Sequence, residues 1–172
     1  YGFIEIDKGI INDLINHEYF QRLRRISQLG LSYLVYPGAQ HTRFQHALGC
    51  LYLMKKALLQ LENKGHIITK EEKEGVQIAI LLHDIGHSPF SHALERTLIK
   101  NIGHEEITLM YMHRFNEIFN GKLSMAIKIF TDNYHKKFLF QLVSSQLDLD
   151  RLDYLKRDSF FTGVTEGNIG VD

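Results

Sequence analysis

The stretch "TKEEKEGVQIAILLHDIGHSPFSH", residues 69–92, constrains this chain more than any other. Thr69 and Glu72 stand at the spacing of a capping box, in which each side chain satisfies the other residue's backbone amide. They open a helix predicted to end near Gly86. Its last turns, "AILL", are apolar, so His83 and Asp84 are carried to the end of a buried helix. A buried His-Asp pair is costly unless each member has a partner. The segment is therefore either a satisfied polar core or a holder of something charged.

The flanking pattern is helical almost throughout. "KGIINDLI" and "HEYFQRLRRISQLG" space Phe20, Leu23, Ile26 and Leu29 by three, with Gly30 as a stop, and read as helices. "LSYLVYPGAQ" holds the Pro-Gly of a turn. A long helix is predicted from Arg43 to Asn63. Ser88-Pro89 reads as a cap and first helical residue, opening a helix to about Lys100. "GHEEITLMYMHRFNEIFNG", "LSMAIKIFTDN" and "KKFLFQLVSSQLDLDRLDYLKRD" add further helices, and the glycine-rich tail stops without one. Only "GFIEI" alternates like a strand. The fold class is all-α: one domain of seven to nine helices with one short N-terminal strand.

Bulk properties exclude several classes. Lys plus Arg equals Asp plus Glu, 20 of each, so no net field points to nucleic acid or an acidic partner. No apolar run approaches the roughly 18 residues of a membrane span, and no secretory signal is visible. The single cysteine, Cys50, reads as a free buried thiol, which fits a reducing, cytoplasmic setting. Seven of the ten histidines (His41, His46, His66, His83, His87, His92 and His104) fall between residues 41 and 104.

Neighbouring helical residues point about 100° apart, so His83 and Asp84 share one ion only if it lies just beyond the helix end. His46, in "HTRFQH", and Asp148 or Asp150, in "QLDLDRLDY", are available to complete a set of nitrogen and oxygen donors. Such a set with open positions suits octahedral manganese, iron, nickel or magnesium better than a closed structural zinc site.

Three motifs in this order, "YPGAQHTRFQHALG", "LLHDIGHSPFSH" and "LDLDRLDYLKRD", resemble the HD-domain phosphohydrolases, nearest their deoxynucleoside triphosphate triphosphohydrolase group. "GFIEI" and "EYFQRLRRISQLG" match the group's entry segment, so the likeness spans nearly the whole chain. It implies the HD helical fold across residues 1–172, shortened at both ends relative to the full protein. It also implies one divalent ion (manganese, iron, nickel, magnesium or zinc) on His46, His83, Asp84 and Asp150, with Asp148 a hydrogen-bonded neighbour.

The resemblance implies His87 and His92 at the substrate phosphates and His104, assisted by Glu95, in proton transfer. Relatives often carry aspartate at the Glu95 position. Arg43 and Arg151 match phosphate contacts, Tyr154 and Asp158 line the sugar, and Gln28 joins Asp158 at a sugar hydroxyl. Asn16, Gln21 and Arg24 match a segment that binds an activating nucleotide, although Asn16 replaces an acidic residue. Homo-oligomeric assembly is implied as well. The implied reaction converts a deoxynucleoside triphosphate to deoxynucleoside and triphosphate. The alternatives are an HD-domain nucleotidase or phosphodiesterase acting on another nucleotide, and a nucleotide-binding regulatory module without turnover.

Overall fold

Eight α-helices are present among the residues that the computed structural model describes, which are 1–6, 8–90, 102–167 and 169–170. They are α1 (Ile10–Asn16), α2 (Glu18–Gln21), α3 (Arg43–Asn63), α4 (Lys70–Leu82), α5 (His104–Ile118), α6 (Ser124–Phe130), α7 (Lys137–Val143) and α8 (Leu149–Thr162). Short 3₁₀ turns occupy Arg22–Arg25, Ser32–Leu34 and Thr165–Gly167. The long α3 packs between α4 and α8, and α4 is covered on its other side by α6 and α7. The core runs along these contacts. Leu51, Met54, Ile78, Ile80, Leu81 and Leu82 have no accessible surface, and burying each such side chain contributes roughly 1.5–3 kcal/mol.

Capping sets the ends of the helices that matter. Both Thr42–Gln45 and Thr69–Glu72 form complete capping boxes, starting α3 and α4 where the sequence places them. Glu72 also accepts from Tyr134 Oη (2.6 Å) and Lys136 Nζ (2.8 Å), which ties the start of α4 to the loop before α7. Asp148 caps α8: its Oδ1 accepts from the Arg151 amide at 2.7 Å and its Oδ2 from the Ser145 amide at 2.8 Å. It is thus the hydrogen-bonded neighbour expected.

The structure corrects four elements. "GFIEI" forms no strand; the described residues contain only the isolated bridge Ser27–Thr42. With no partner ladder the segment instead lies on α3, where Tyr1 stacks on Tyr52 at 4.9 Å and Lys55 donates to the Glu5 carbonyl at 3.0 Å. The helix expected to reach Gly30 stops at Gln21, passes through a 3₁₀ turn and becomes extended at Ile26. Its apolar residues repeat strictly every three positions, the period of a 3₁₀ helix rather than of an α-helix. Phe20, Leu23 and Ile26 are nevertheless all buried, and the extended strip pairs with the lead-in to α3 through Arg43 N to Ile26 O at 2.9 Å and Gln28 N to His41 O at 3.0 Å.

The third correction is that α4 ends at Leu82, not Gly86, with His83 as its cap. The fourth concerns Ser88-Pro89, which opens no helix at that point: Pro89 and Phe90 lie in a turn, and Phe90 takes a positive φ of 68°, outside the helical region. The body of the helix expected to reach Lys100, with His92 and Glu95, falls outside the described residues.

Candidate metal centre

Three elements deliver the four residues expected to bind metal. His46 sits in the first turn of α3, His83 and Asp84 follow the end of α4, and Asp150 lies in the first turn of α8. Their donor atoms converge. His46 Nε2 and His83 Nε2 are 3.3 Å apart, and Asp150 Oδ1 lies 3.0 Å from the first and 3.5 Å from the second. Asp84 completes the ring, with Oδ2 at 3.6 Å from His46 Nε2 and Oδ1 at 3.6 Å from His83 Nε2.

The far side of each imidazole is held by a partner of its own. His83 Nδ1 lies 2.6 Å from the carbonyl oxygen of Ile80, an acceptor only, so that nitrogen carries the proton. His46 Nδ1 lies 2.7 Å from Asp153 Oδ2, and Asp153 has no accessible surface. Asp153 is in turn gripped by Arg157, through Nε and Nη2, each at 2.8 Å. Outer partners of this kind fix the orientation of a ligating imidazole. Gly49 makes the arrangement possible, because a Cβ there would overlap Asp153 Oδ1 and Arg157 Nη2.

The carboxylates of the centre are ionised and draw positive charge toward them. Burial opposes ionisation of Asp84, yet His83 and Arg43 hold its carboxyl well below the usual range. Burial also opposes Asp150, and the hydrogen bonds of His46 and His83 outweigh it, so this carboxyl too is lowered. Burial disfavours a charged His83, but Asp84 and Asp150 raise its pKa. Two facing imidazole nitrogens and two ionised carboxylates favour positive charge between them, and the donor set therefore fits a divalent ion. Cys50 Sγ lies 3.6 Å from both ring nitrogens of His46. Burial pushes its thiol up to about 12, so it packs as the free, buried group expected.

A second cluster adjoins the first through Asp84. The donor atoms of Asp84, His87 and His104 lie within 4.8 Å of one another. His87 Nε2 is 3.3 Å from Asp84 Oδ1, and its ring stacks on His104, the first residue of α5, with centroids 4.0 Å apart. Burial lowers the His87 pKa to about 4, so its ring is neutral near pH 7. Gly86 N donates to Thr108 Oγ1 at 2.9 Å and Thr108 Oγ1 to the His83 carbonyl at 3.0 Å, binding α5 to the turn after α4. A cavity of about 290 Å³ opens over this region, lined by His83, Asp84, His104, Thr131, Ser144 and Asp150 among others.

The remaining predicted residues are placed as follows. Arg43 is buried and paired with Asp84 Oδ2. Asp158 binds His41 Nε2 at 2.6 Å, and the buried His41 also stacks on Phe161 and joins Gln28 through its carbonyl. Tyr154 is half-buried and Arg151 exposed on α8. Asn16 bonds back to Asn12, Gln21 to the Ile15 carbonyl, and Arg24 to Gln21 while lying over the Phe44 ring. Sequence reasoning missed Asp153, Arg157 and His41. The Asp153-Arg157 spacing of four on one helix was the available signal.

A helical bundle that closes two histidines and two aspartates around one point is a His/Asp metal-binding domain. Residues 43–158 match the model of the HD domain family, and the chain belongs to that family. It is 34% identical to the uncharacterised protein YwfO of Bacillus subtilis, over all of this chain and 41% of the relative. It is 32% identical to the deoxynucleoside triphosphate triphosphohydrolase SAMHD1 of Danio rerio, over 95% of this chain and 33% of that one. The crystal structure of a phosphohydrolase from Bacteroides thetaiotaomicron superposes with a TM-score of 0.97 at 63% identity, covering 99% of this chain and 42% of that chain. The chain therefore spans less than half the length of these relatives. No helix among the described residues is long and apolar enough to cross a membrane.

Proposed function

We propose that the chain forms the catalytic region of a metal-dependent phosphohydrolase that cleaves deoxynucleoside triphosphates at the α-phosphate, giving deoxynucleoside and triphosphate. The observation that carries this reading is the facing pair of imidazole Nε2 atoms, 3.3 Å apart and flanked by Asp84 and Asp150. The named activity of the SAMHD1 relative supports the choice of substrate. A divalent ion bound by His46, His83, Asp84 and Asp150 supplies Lewis-acid polarisation of a phosphoryl oxygen.

The protein's own groups do the rest. Asp153 and Arg157 hold the His46 ring in one orientation. Arg43 offsets the Asp84 charge and leaves the centre less repulsive to a polyphosphate. The neutral His87 ring stands beside the ligands as a hydrogen-bonding partner for phosphate oxygens, and His104, stacked on it at the start of α5, is placed to protonate the leaving sugar oxygen. The first amides of α5 add a positive helix end to the same side. Asp158, oriented by His41, takes the sugar end with Gln28 and Tyr154. His92 and Glu95 keep the roles the resemblance implies, as do Arg151 at the phosphates and Asn16, Gln21 and Arg24 at an activating nucleotide. A cytoplasmic homo-oligomer belongs to the same reading.

The test loads purified protein separately with manganese, iron, nickel, magnesium or zinc and follows the products from each deoxynucleotide by ion-exchange chromatography. Inorganic triphosphate with free deoxynucleoside is expected, and Asp150→Asn removes both ion and turnover. Release of monophosphate or diphosphate points to a different nucleotide phosphohydrolase. A bound ion with no turnover of any nucleotide overturns the catalytic reading in favour of a binding module.

A further inference from the structure

We propose that Arg22, far from the metal motifs in sequence, is a positioning residue that locks the turn carrying His87 against the helix carrying His104. Arg22 opens the 3₁₀ turn Arg22–Arg25. Its Nη1 donates to the His87 carbonyl at 2.9 Å and its Nη2 to the Ile85 carbonyl. The same guanidinium lies 5.4 Å from the centroid of the Tyr111 ring, two turns along α5 from His104. One side chain thus touches both elements whose imidazoles stack at 4.0 Å.

The chemistry of the contact favours arginine specifically. The Ile85 and His87 carbonyls lie past the end of α4 at Leu82, where a helical ladder no longer supplies donors. A planar guanidinium reaches two such carbonyls from one fixed plane and lays its face on an aromatic ring; a lysine ammonium is a point charge that does neither. Its positive charge also stands near the negative end of the α4 dipole.

The metal ligands are anchored differently. His46 hangs on α3 with Asp153 behind it, His83 on α4 through the Ile80 carbonyl, Asp84 on the Arg43 guanidinium of α3, and Asp150 on α8. Loss of Arg22 therefore loosens His87 while leaving the ion site in place. This separation of metal binding from turnover marks a positioning role and distinguishes it from general support of the fold.

Arg22→Ala and Arg22→Lys, made in the chain as described, test this with three readouts. Metal affinity by chelator competition stays within about threefold of the parent, because the outer partners of the ligands are untouched. Amide hydrogen exchange across residues 85–90 accelerates while exchange in α3 does not change. The kcat for triphosphate release falls about 10²-fold in Arg22→Ala, the scale of an ångström-sized misplacement, and low millimolar guanidinium restores part of it, with Arg22→Lys intermediate.

Unchanged exchange across residues 85–90 in both variants overturns the proposal. So does a loss of kcat that guanidinium does not rescue and that accompanies faster exchange throughout the core. The kinetic arm rests on the phosphohydrolase reading. If the parent turns over no nucleotide, that reading fails while hydrogen exchange still decides the role of Arg22.

Discussion

Gly49→Ala gives a test in which helix propensity and the site make opposite forecasts. Gly49 lies inside α3, three residues after His46. In an ordinary helix interior, alanine is favoured over glycine by about 1 kcal/mol. Here a Cβ would overlap Asp153 Oδ1 and Arg157 Nη2 and stand 2.7 Å from Asp153 Cγ. Those atoms belong to a buried carboxylate that bonds His46 on one side and Arg157 on the other. Forcing the carboxylate aside breaks a buried ion pair, at about 3–5 kcal/mol. Subtracting the propensity gain leaves a net loss of roughly 2–4 kcal/mol.

Urea denaturation of the metal-free protein measures this loss, and chelator competition measures the ion. Affinity falls about 10–100-fold as the His46 ring loses its outer partner. A double-mutant cycle with Asp153→Ala isolates the cause: with the carboxylate gone, alanine at position 49 costs little, so the two changes are strongly non-additive. A Gly49→Ala protein as stable as the parent, with unchanged metal affinity, refutes the reasoning, because Asp153 would then have no fixed place behind His46.

Two further perturbations leave the ligand side chains unchanged. Glu72 is 2% exposed, and although burial raises its pKa, Lys136, Tyr134 and the Thr69 amide more than reverse this, lowering it from 4.5 to about 2. A depressed carboxylate stabilises the fold above its unfolded pKa and loses that contribution as pH falls through the folded value, so about 3 kcal/mol disappears between pH 4.5 and pH 2. Urea curves of the parent and Glu72→Gln should differ most near pH 7 and converge as the pH falls to about 2; a gap independent of pH would show that the charge is not involved. Thr108→Val keeps the shape but removes the hydroxyl between Gly86 N and the His83 carbonyl, leaving buried groups unpaired at about 1–3 kcal/mol each. Thermal melts that match the parent would show that the hydroxyl does not join α5 to the turn.

What was legible in the chain divides along the range of the interactions. The Thr69–Glu72 capping box, the bounds of α3 and the burial of Phe20, Leu23 and Ile26 are local, and they could be read from a few neighbouring letters. His46, His83, Asp84 and Asp150 could be named because three motifs stand in register, and the fold brings them together. The 3₁₀ turn at Arg22–Arg25 was concealed because an apolar repeat of three fits the edge of an α-helical pattern as well. The strand failed for a tertiary reason, since alternation says nothing about whether a partner strand exists. Arg22 and His41 carried no local signal, and Asp153 only its spacing of four from Arg157: each works by reaching a distant segment, and only the packed helices show which one.

The same division forecasts the effect of removing the ion. Each ligand hangs on an element whose position apolar packing already sets. Ile78, Ile80, Leu81 and Leu82 in α4 are fully buried, and the start of α8 is held by its own cap at Asp148. The ion therefore stabilises by linkage, about 2.7 kcal/mol at a free concentration of about a hundred times its Kd, and does not assemble the fold. Chelation should leave the far-ultraviolet circular dichroism of a helical protein intact while lowering the melting temperature by a few degrees. Collapse of helicity on chelation, the behaviour of small domains that fold only around zinc, would mean that the four donors hold the helices together, instead of being held by them.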